Sequence, residues 1–110
     1  MPNQLDPSKK RVTFTEFTDV FAKLQKKAAA DRVDVSTVLR AATQDFVLKH
    51  KAKKWEPVPY SQPGHNLRRI TYAEWEDVLS YIEKVIVAER TSQTTLLRKI
   101  IYAYLVKAGV

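Results

Sequence analysis

Polar and apolar residues alternate in two short stretches, Arg11-Val12-Thr13-Phe14-Thr15 and Arg69-Ile70-Thr71-Tyr72-Ala73. An extended strand sends successive side chains to opposite faces. Val12 and Phe14 therefore face a core while Arg11, Thr13 and Thr15 face outward, and Ile70 and Tyr72 are set against Arg69, Thr71 and Ala73 in the same way. Behind each strand the period changes. Phe17, Val20, Phe21, Leu24 and Ala28 follow helical spacing and predict a helix from about residue 17 to about residue 31, with Asp19 in the first turn, where a carboxylate complements the helix dipole. Val35, Val38, Leu39, Ala42, Phe46 and Val47 predict a second helix with Asp34 as its N-cap. The second strand is followed by Trp75, Val78, Leu79, Ile82 and Ile86, then by Leu96, Leu97, Ile100, Tyr104 and Leu105, with Ser92 as the cap and Gly109 as the stop.

The two series are one pattern written twice. An offset of 58 aligns residues 11–49 with 69–107 without a gap, and 12 of the 39 pairs are identical, among them Arg11/Arg69, Thr13/Thr71, Glu16/Glu74, Arg32/Arg90, Thr37/Thr95 and Arg40/Arg98. Unrelated sequences of ordinary composition share about two or three over such a length, so the duplication decides the architecture before any motif does. It divides the chain into an arm (1–9), a first copy (10–49), a linker (50–66) and a second copy (67–110), the copies sharing one core. Pro57, Pro59, Pro63 and Gly64 mark the linker. At about 3.3 Å per extended residue it spans about 50 Å, enough for the second strand to turn back and pair with the first. The expected fold is mainly α with a two-stranded antiparallel β-ribbon. Trp55, Val58 and Tyr60 are apolar for a linker, and Lys23, Lys27, Ala29, Thr43 and Gln44 of the first copy become Tyr81, Val85, Val87, Ile101 and Tyr102 in the second. The expectation is that the linker, a protein partner or a second molecule of the chain packs on this extra surface.

Charge adds a direction. Nineteen Lys and Arg against twelve Asp and Glu give a net charge of +7, which favours a polyanionic partner. No cysteine is present, so there is neither a disulfide framework nor a thiolate metal site. No apolar run approaches the roughly 18 residues of a membrane span, and the polar N-terminus does not read as a secretory signal; the expected location is cytoplasmic, with the nucleoid or a plasmid. Two glycines cannot build a phosphate loop, and His50 and His65 stand in the linker with no carboxylate or cysteine at ligand or triad spacing. No enzymatic activity, catalytic residue, metal or cofactor is expected.

A polar-faced strand followed by two helices resembles the ribbon-helix-helix superfamily of the Arc and MetJ repressors, over residues 10–49 and 68–107. Two copies in one chain are similar to TraY-like accessory proteins of conjugative DNA transfer. The resemblance implies a tandem ribbon-helix-helix folded as an intramolecular pseudodimer that binds double-stranded DNA in the major groove, acting in conjugative plasmid or T-DNA transfer or as a transcriptional repressor. It places Arg11, Thr13, Thr15, Arg69, Thr71 and Ala73 at base edges, where arginine bridges the two acceptors of guanine and threonine meets base edges or a thymine methyl. It places Lys9, Lys10 and Arg68 on phosphates, together with Ser36, Thr37, Thr94 and Thr95 at the N-termini of the second helices, whose amides and dipole suit a phosphate. Asp34 opposes a phosphate at that point. Arg40 and Arg98 are expected to bond carboxylates such as those of Asp31 or Glu89, and Lys49, Lys51, Lys53 and Lys54 to be solvated or to track phosphates.

Two positions depart from the family pattern. Arg32 and Arg90 stand where the turn between the helices usually carries glycine, and Ala73 stands where the first copy has Thr15. The second departure makes the halves of the ribbon unequal and the expected DNA site an imperfect palindrome. The competing expectation is an antitoxin-like protein-interaction module using the apolar surface of the second copy. A tail beyond the fold that wraps a toxin is not expected here, which counts against that reading.

Overall fold

The computed structural model describes residues 7–59 and 66–110; Tyr60, Pro63, Gly64 and His65, named above in the linker, and most of the arm (1–9) lie outside them. Strand β1 (Lys9–Phe17) pairs antiparallel with β2 (Leu67–Trp75) over their whole length, with Thr13 opposite Thr71. A strand alone leaves its amides and carbonyls unpaired, and two strands alone are marginal in water. The helices supply the rest: α1 (Thr18–Asp31) and α2 (Val35–Lys51) follow β1, and α3 (Glu76–Glu89) and α4 (Gln93–Lys107) follow β2. The corners between strand and helix are tied across the ribbon, the amide of Thr18 donating to the carbonyl of Asn66 (3.0 Å) and that of Glu76 to Ser8 (2.8 Å).

One core serves both copies. Val12, Phe14, Ile70 and Tyr72 are buried under the ribbon, as the alternation requires, and pack with Leu24, Leu39 and Phe46 of the first copy and Ile82, Leu97 and Ile100 of the second. The rings of Phe14 and Tyr72 meet edge to face at 6.2 Å, a preferred aromatic geometry. Helix α1 begins at Thr18 and not at residue 17, because Phe17 is still extended (φ −66°, ψ 140°) and paired with Leu67. Both expected caps form: Asp34 accepts the amide of Thr37 at 2.8 Å, and Ser92 that of Thr95 at 3.1 Å. Gly109, at φ +78°, follows the end of α4.

The described part of the linker touches both copies: His50 Nδ1 stands 2.7 Å from the hydroxyl of Tyr81 and Lys51 Nζ 5.1 Å over its ring. Trp55 stands edge-on to Phe46 of α2, with ring centroids 4.9 Å apart, while Lys107 Nζ of α4 reaches the carbonyl of Glu56 at 3.4 Å. Most of the surplus apolar side-chain area of the second copy is taken up by the core. Val85 and Ile101 are in the core and Tyr81 and Tyr102 are half-buried against it, leaving Val87, 78% exposed. The reason is geometric, since one continuous core lets a substitution in either copy fill space in both. Among the described residues, no helix is long and apolar enough to cross a membrane.

The turns between the helices keep the left-handed conformation that favours glycine. Arg32 has φ 58° and Arg90 φ 53°, and the following amides of Val33 and Thr91 close back on the carbonyls of Ala28 (2.9 Å) and Ile86 (3.1 Å). An L side chain in this conformation costs roughly 1 kcal/mol or more. Arg90→Gly should therefore stabilise the fold by about 1 kcal/mol in urea unfolding. Arg90→Ala, which retains a Cβ, should stay within about 0.5 kcal/mol of the parent; equal behaviour of the two variants would show that the turn carries no strain.

Candidate nucleic-acid interface

The register brings the six residues of the expected base-reading set onto one face. Arg11 stands opposite Ala73, Thr13 opposite Thr71, and Thr15 opposite Arg69. Arg11, Thr13, Arg69 and Thr71 are exposed, and Thr15 and Ala73 are half-buried. The two central hydroxyls bond to each other, Oγ1 to Oγ1, at 2.9 Å. From Arg11 to Thr15 the strand advances roughly 14 Å at about 3.4 Å per residue, which is about four base steps of a duplex. The arginines lie at opposite ends of this face, and among the described residues neither guanidinium has a hydrogen-bond or ion-pair partner.

Arg40 and Arg98 do not bond the carboxylates of Asp31 and Glu89. Arg98 donates from Nε to the carbonyl of Thr15 and from Nη2 to its hydroxyl, both at 2.8 Å, and lies 4.8 Å over the ring of Phe17. Arg40 donates from Nη1 to the carbonyl of Ala73 at 2.8 Å. Each arginine thus runs from the second helix of one copy to the strand of the other. In a two-stranded ribbon both strands are edges, and the outward row of carbonyls has no ladder partner. That need outcompetes a solvated carboxylate. Identity of the pair across the repeat was the available signal.

The flanking cations are held at the ribbon ends. Lys9 Nζ lies 4.4 Å over the ring of Trp75, Arg68 lies 4.1 Å over Phe21, and Lys10 Nζ is 3.2 Å from Glu76 Oε1. Ser36 shares a cleft of about 220 Å³ with Phe21, Arg68, Arg69 and Thr71, which joins the start of α2 to the ribbon. The hydroxyl of Thr37 donates to Asp34 at 2.6 Å, and that of Thr95 accepts from Ser92 at 2.9 Å; Thr94 is half-buried in the first turn of α4. The two bonds from Thr37 hold the Asp34 carboxyl below its usual range. One helix start is therefore capped by an anion and the other by a neutral hydroxyl.

No protein-family profile, curated protein or solved structure matches the chain. The interface is characterised by its own chemistry.

Beneath the ribbon lie two carboxyls. Glu16 and Glu74 are in phase with Val12, Phe14, Ile70 and Tyr72, and both are 0% exposed. Glu74 accepts bonds from the hydroxyls of Thr43 and Tyr72 and from the amide of Trp75. Glu16 accepts the amide of Phe17 at 2.9 Å, and its Oε2 has no partner among the described residues. The repeat explains the difference: Phe14 and Ile101 stand where the other side has Tyr72 and Thr43, so both hydroxyl donors are missing. Burial pushes the Glu16 carboxyl up to about 7, against the opposing pull of the Phe17 amide and the Arg98 charge. Burial also raises Glu74, with its three donors opposing.

This has a pH consequence of fixed sign. Below the ordinary value of 4.5 Glu16 is protonated whether the chain is folded or not, and stability is undiminished. As pH rises towards 7 the unfolded chain ionises while the folded one holds its proton, so Glu16 lowers stability by up to about 3 kcal/mol, levelling above that. Urea unfolding at stepped pH should show this decline in the parent. Phe14→Tyr with Ile101→Thr, which supplies both donors, should lower the Glu16 titration seen by NMR and flatten the decline; an unchanged titration would count against the missing hydroxyls as its cause.

Proposed function

We propose that this chain is a sequence-specific double-stranded DNA-binding protein that lays its β-ribbon in the major groove, its two copies acting as an intramolecular ribbon-helix-helix pseudodimer. The observation that carries this reading is the outer face of the ribbon. Two uncommitted arginines stand at opposite ends of a pair of centred threonines, on an exposed two-stranded element of a chain with net charge +7. A two-stranded ribbon fits the major groove of B-DNA, and arginine and threonine are residues that read base edges there. Arg11 and Arg69 bridge guanines. Thr13, Thr71 and Thr15 meet base edges, and Ala73 makes an apolar contact. Lys9, Lys10 and Arg68 engage phosphates beside the ribbon, and the starts of α2 and α4, at Ser36 and Thr37 and at Thr94 and Thr95, each receive one phosphate. Burial of most of the surplus apolar residues of the second copy supports DNA over an antitoxin-like interaction surface. The chain acts by binding, without catalysis. Repression and accessory work in plasmid or T-DNA transfer use this same chemistry, and selection of sites from random DNA separates them by the loci recovered.

In gel-shift titrations, Arg11→Ala and Arg69→Ala should each weaken specific binding by about 1–3 kcal/mol without altering thermal stability. Parental affinity in both variants would remove the ribbon as the reader. Log K should fall with log salt by about 0.9 for each phosphate engaged. Asp34→Ser, which copies the neutral cap at Ser92, should tighten DNA binding by up to about 1 kcal/mol, and Ser92→Asp should weaken it. Changes in the same direction for both caps would dissociate the helix starts from phosphate contact.

A further inference from the structure

One end of the molecule departs from the repeat where the core keeps it. His50 and Lys51 at the end of α2, Lys53 and Trp55 beyond it, and Tyr81 of α3 wall a cleft of about 500 Å³. The core positions beside them recur in kind 58 residues away, as Phe46/Tyr104, Val47/Leu105 and Leu24/Ile82. Of the walls, Tyr81 lies within the aligned repeat, opposite Lys23, while His50, Lys51, Lys53 and Trp55 belong to the linker, which is not repeated. The cleft therefore forms where the unrepeated linker meets the second copy, and the other copy has no equivalent of it built from the same residue types.

The walls are fixed before any ligand arrives. Trp55 is set edge-on against the fully buried Phe46, at 4.9 Å and 85°. His50 lies between Phe46 and Tyr81, its Nδ1 2.7 Å from the Tyr81 hydroxyl and its Nε2 3.5 Å from Glu89 Oε2. Lys51 Nζ stands 5.1 Å over the Tyr81 ring. Lys53 holds a left-handed backbone conformation, φ 59°, uncommon for a non-glycine residue. The cleft therefore combines ring faces with two cations, and the neighbouring carboxylate of Glu89 is engaged by His50.

We propose that this cleft binds a nucleotide, the base against the rings of Tyr81 and Trp55 and the phosphate between Lys51 and Lys53. Its volume lies within the range of small-ligand sites, and stacking on aromatic rings with cations beside them is the chemistry by which unpaired nucleotides are held. His50 is 14 residues along α2 from Ser36, or about 21 Å at 1.5 Å per residue, so the cleft is separate from the start of α2 beside the ribbon. The nucleotide is either free in solution or an unpaired member of a single strand. The proposal stands independently of what the ribbon binds.

The test is a fluorescence titration in a Trp75→Phe background, which leaves Trp55 as the remaining tryptophan of the two. The probes are adenosine monophosphate, a short oligothymidylate and inorganic phosphate. Saturable quenching by either nucleotide probe is expected, weakened by about tenfold in Lys51→Ala/Lys53→Gly through loss of two charge-assisted contacts. Glycine suits the left-handed backbone at residue 53, so that variant should keep its thermal stability and circular dichroism. Saturation by the monophosphate identifies a free nucleotide, and saturation by the oligothymidylate alone identifies a single strand; both support the site. The proposal is overturned if neither nucleotide probe saturates, if the double variant responds like the parent, or if inorganic phosphate matches the nucleotides.

Discussion

Everything in this molecule depends on β1 finding β2. Each strand has one hydrogen-bonding edge that only the other can satisfy, and the two are separated by two helices and a linker. Once paired, the strands bring Val12, Phe14, Ile70 and Tyr72 to one side, and that apolar side gives the four helices a common surface to cover. The opposite edges of the ribbon would still leave carbonyls without partners. Arg40 and Arg98 each supply a partner to one of them, at Ala73 and Thr15, and in doing so tie each second helix to the strand of the other copy. Pairing, core and cross-tie therefore form a single cooperative unit.

On this near-symmetric frame the chemistry is unequal. Thr15 has a hydroxyl for Arg98 where Ala73 offers Arg40 only a carbonyl; Asp34 caps one helix and Ser92 the other; Glu74 is fully bonded and Glu16 is not. In an assembly of two identical chains every substitution lands twice, and such differences cannot arise. Here each lands once. The missing donors at Phe14 and Ile101 leave a poorly satisfied carboxyl beneath the ribbon, and its burial cost weighs on the fold near neutral pH.

The elements and their ends were legible because local chemistry sets them: alternation for the strands, helical spacing for the helices, Asp34 and Ser92 for the caps. The pairing of the strands followed from the repeat and the reach of the linker. What escaped was non-local. Glu16 and Glu74 drew notice only as an identical pair of the repeat, although their phase with Val12 and Tyr72 places them inside; the hydroxyls of Thr43 and Tyr72 make the burial tolerable for Glu74. The targets of Arg40 and Arg98 lie 33 and 83 residues away, distances that no periodicity encodes. The resting place of Trp55 on Phe46 was hidden for the same reason, since breakers in a linker say where regular structure stops and nothing about what the segment touches.

The linker between the copies has a consequence for dosage. Two strands on separate chains meet at a rate that falls with the square of their concentration, so a ribbon built that way dissolves on dilution and appears only above a threshold. Joined by 49 intervening residues between Phe17 and Leu67, the strands meet in a first-order step whose equilibrium is the same for one molecule in a cell as for a thousand. The outer face of the ribbon is then presented in direct proportion to the number of chains made, and falling expression reduces it gradually, with no point of collapse.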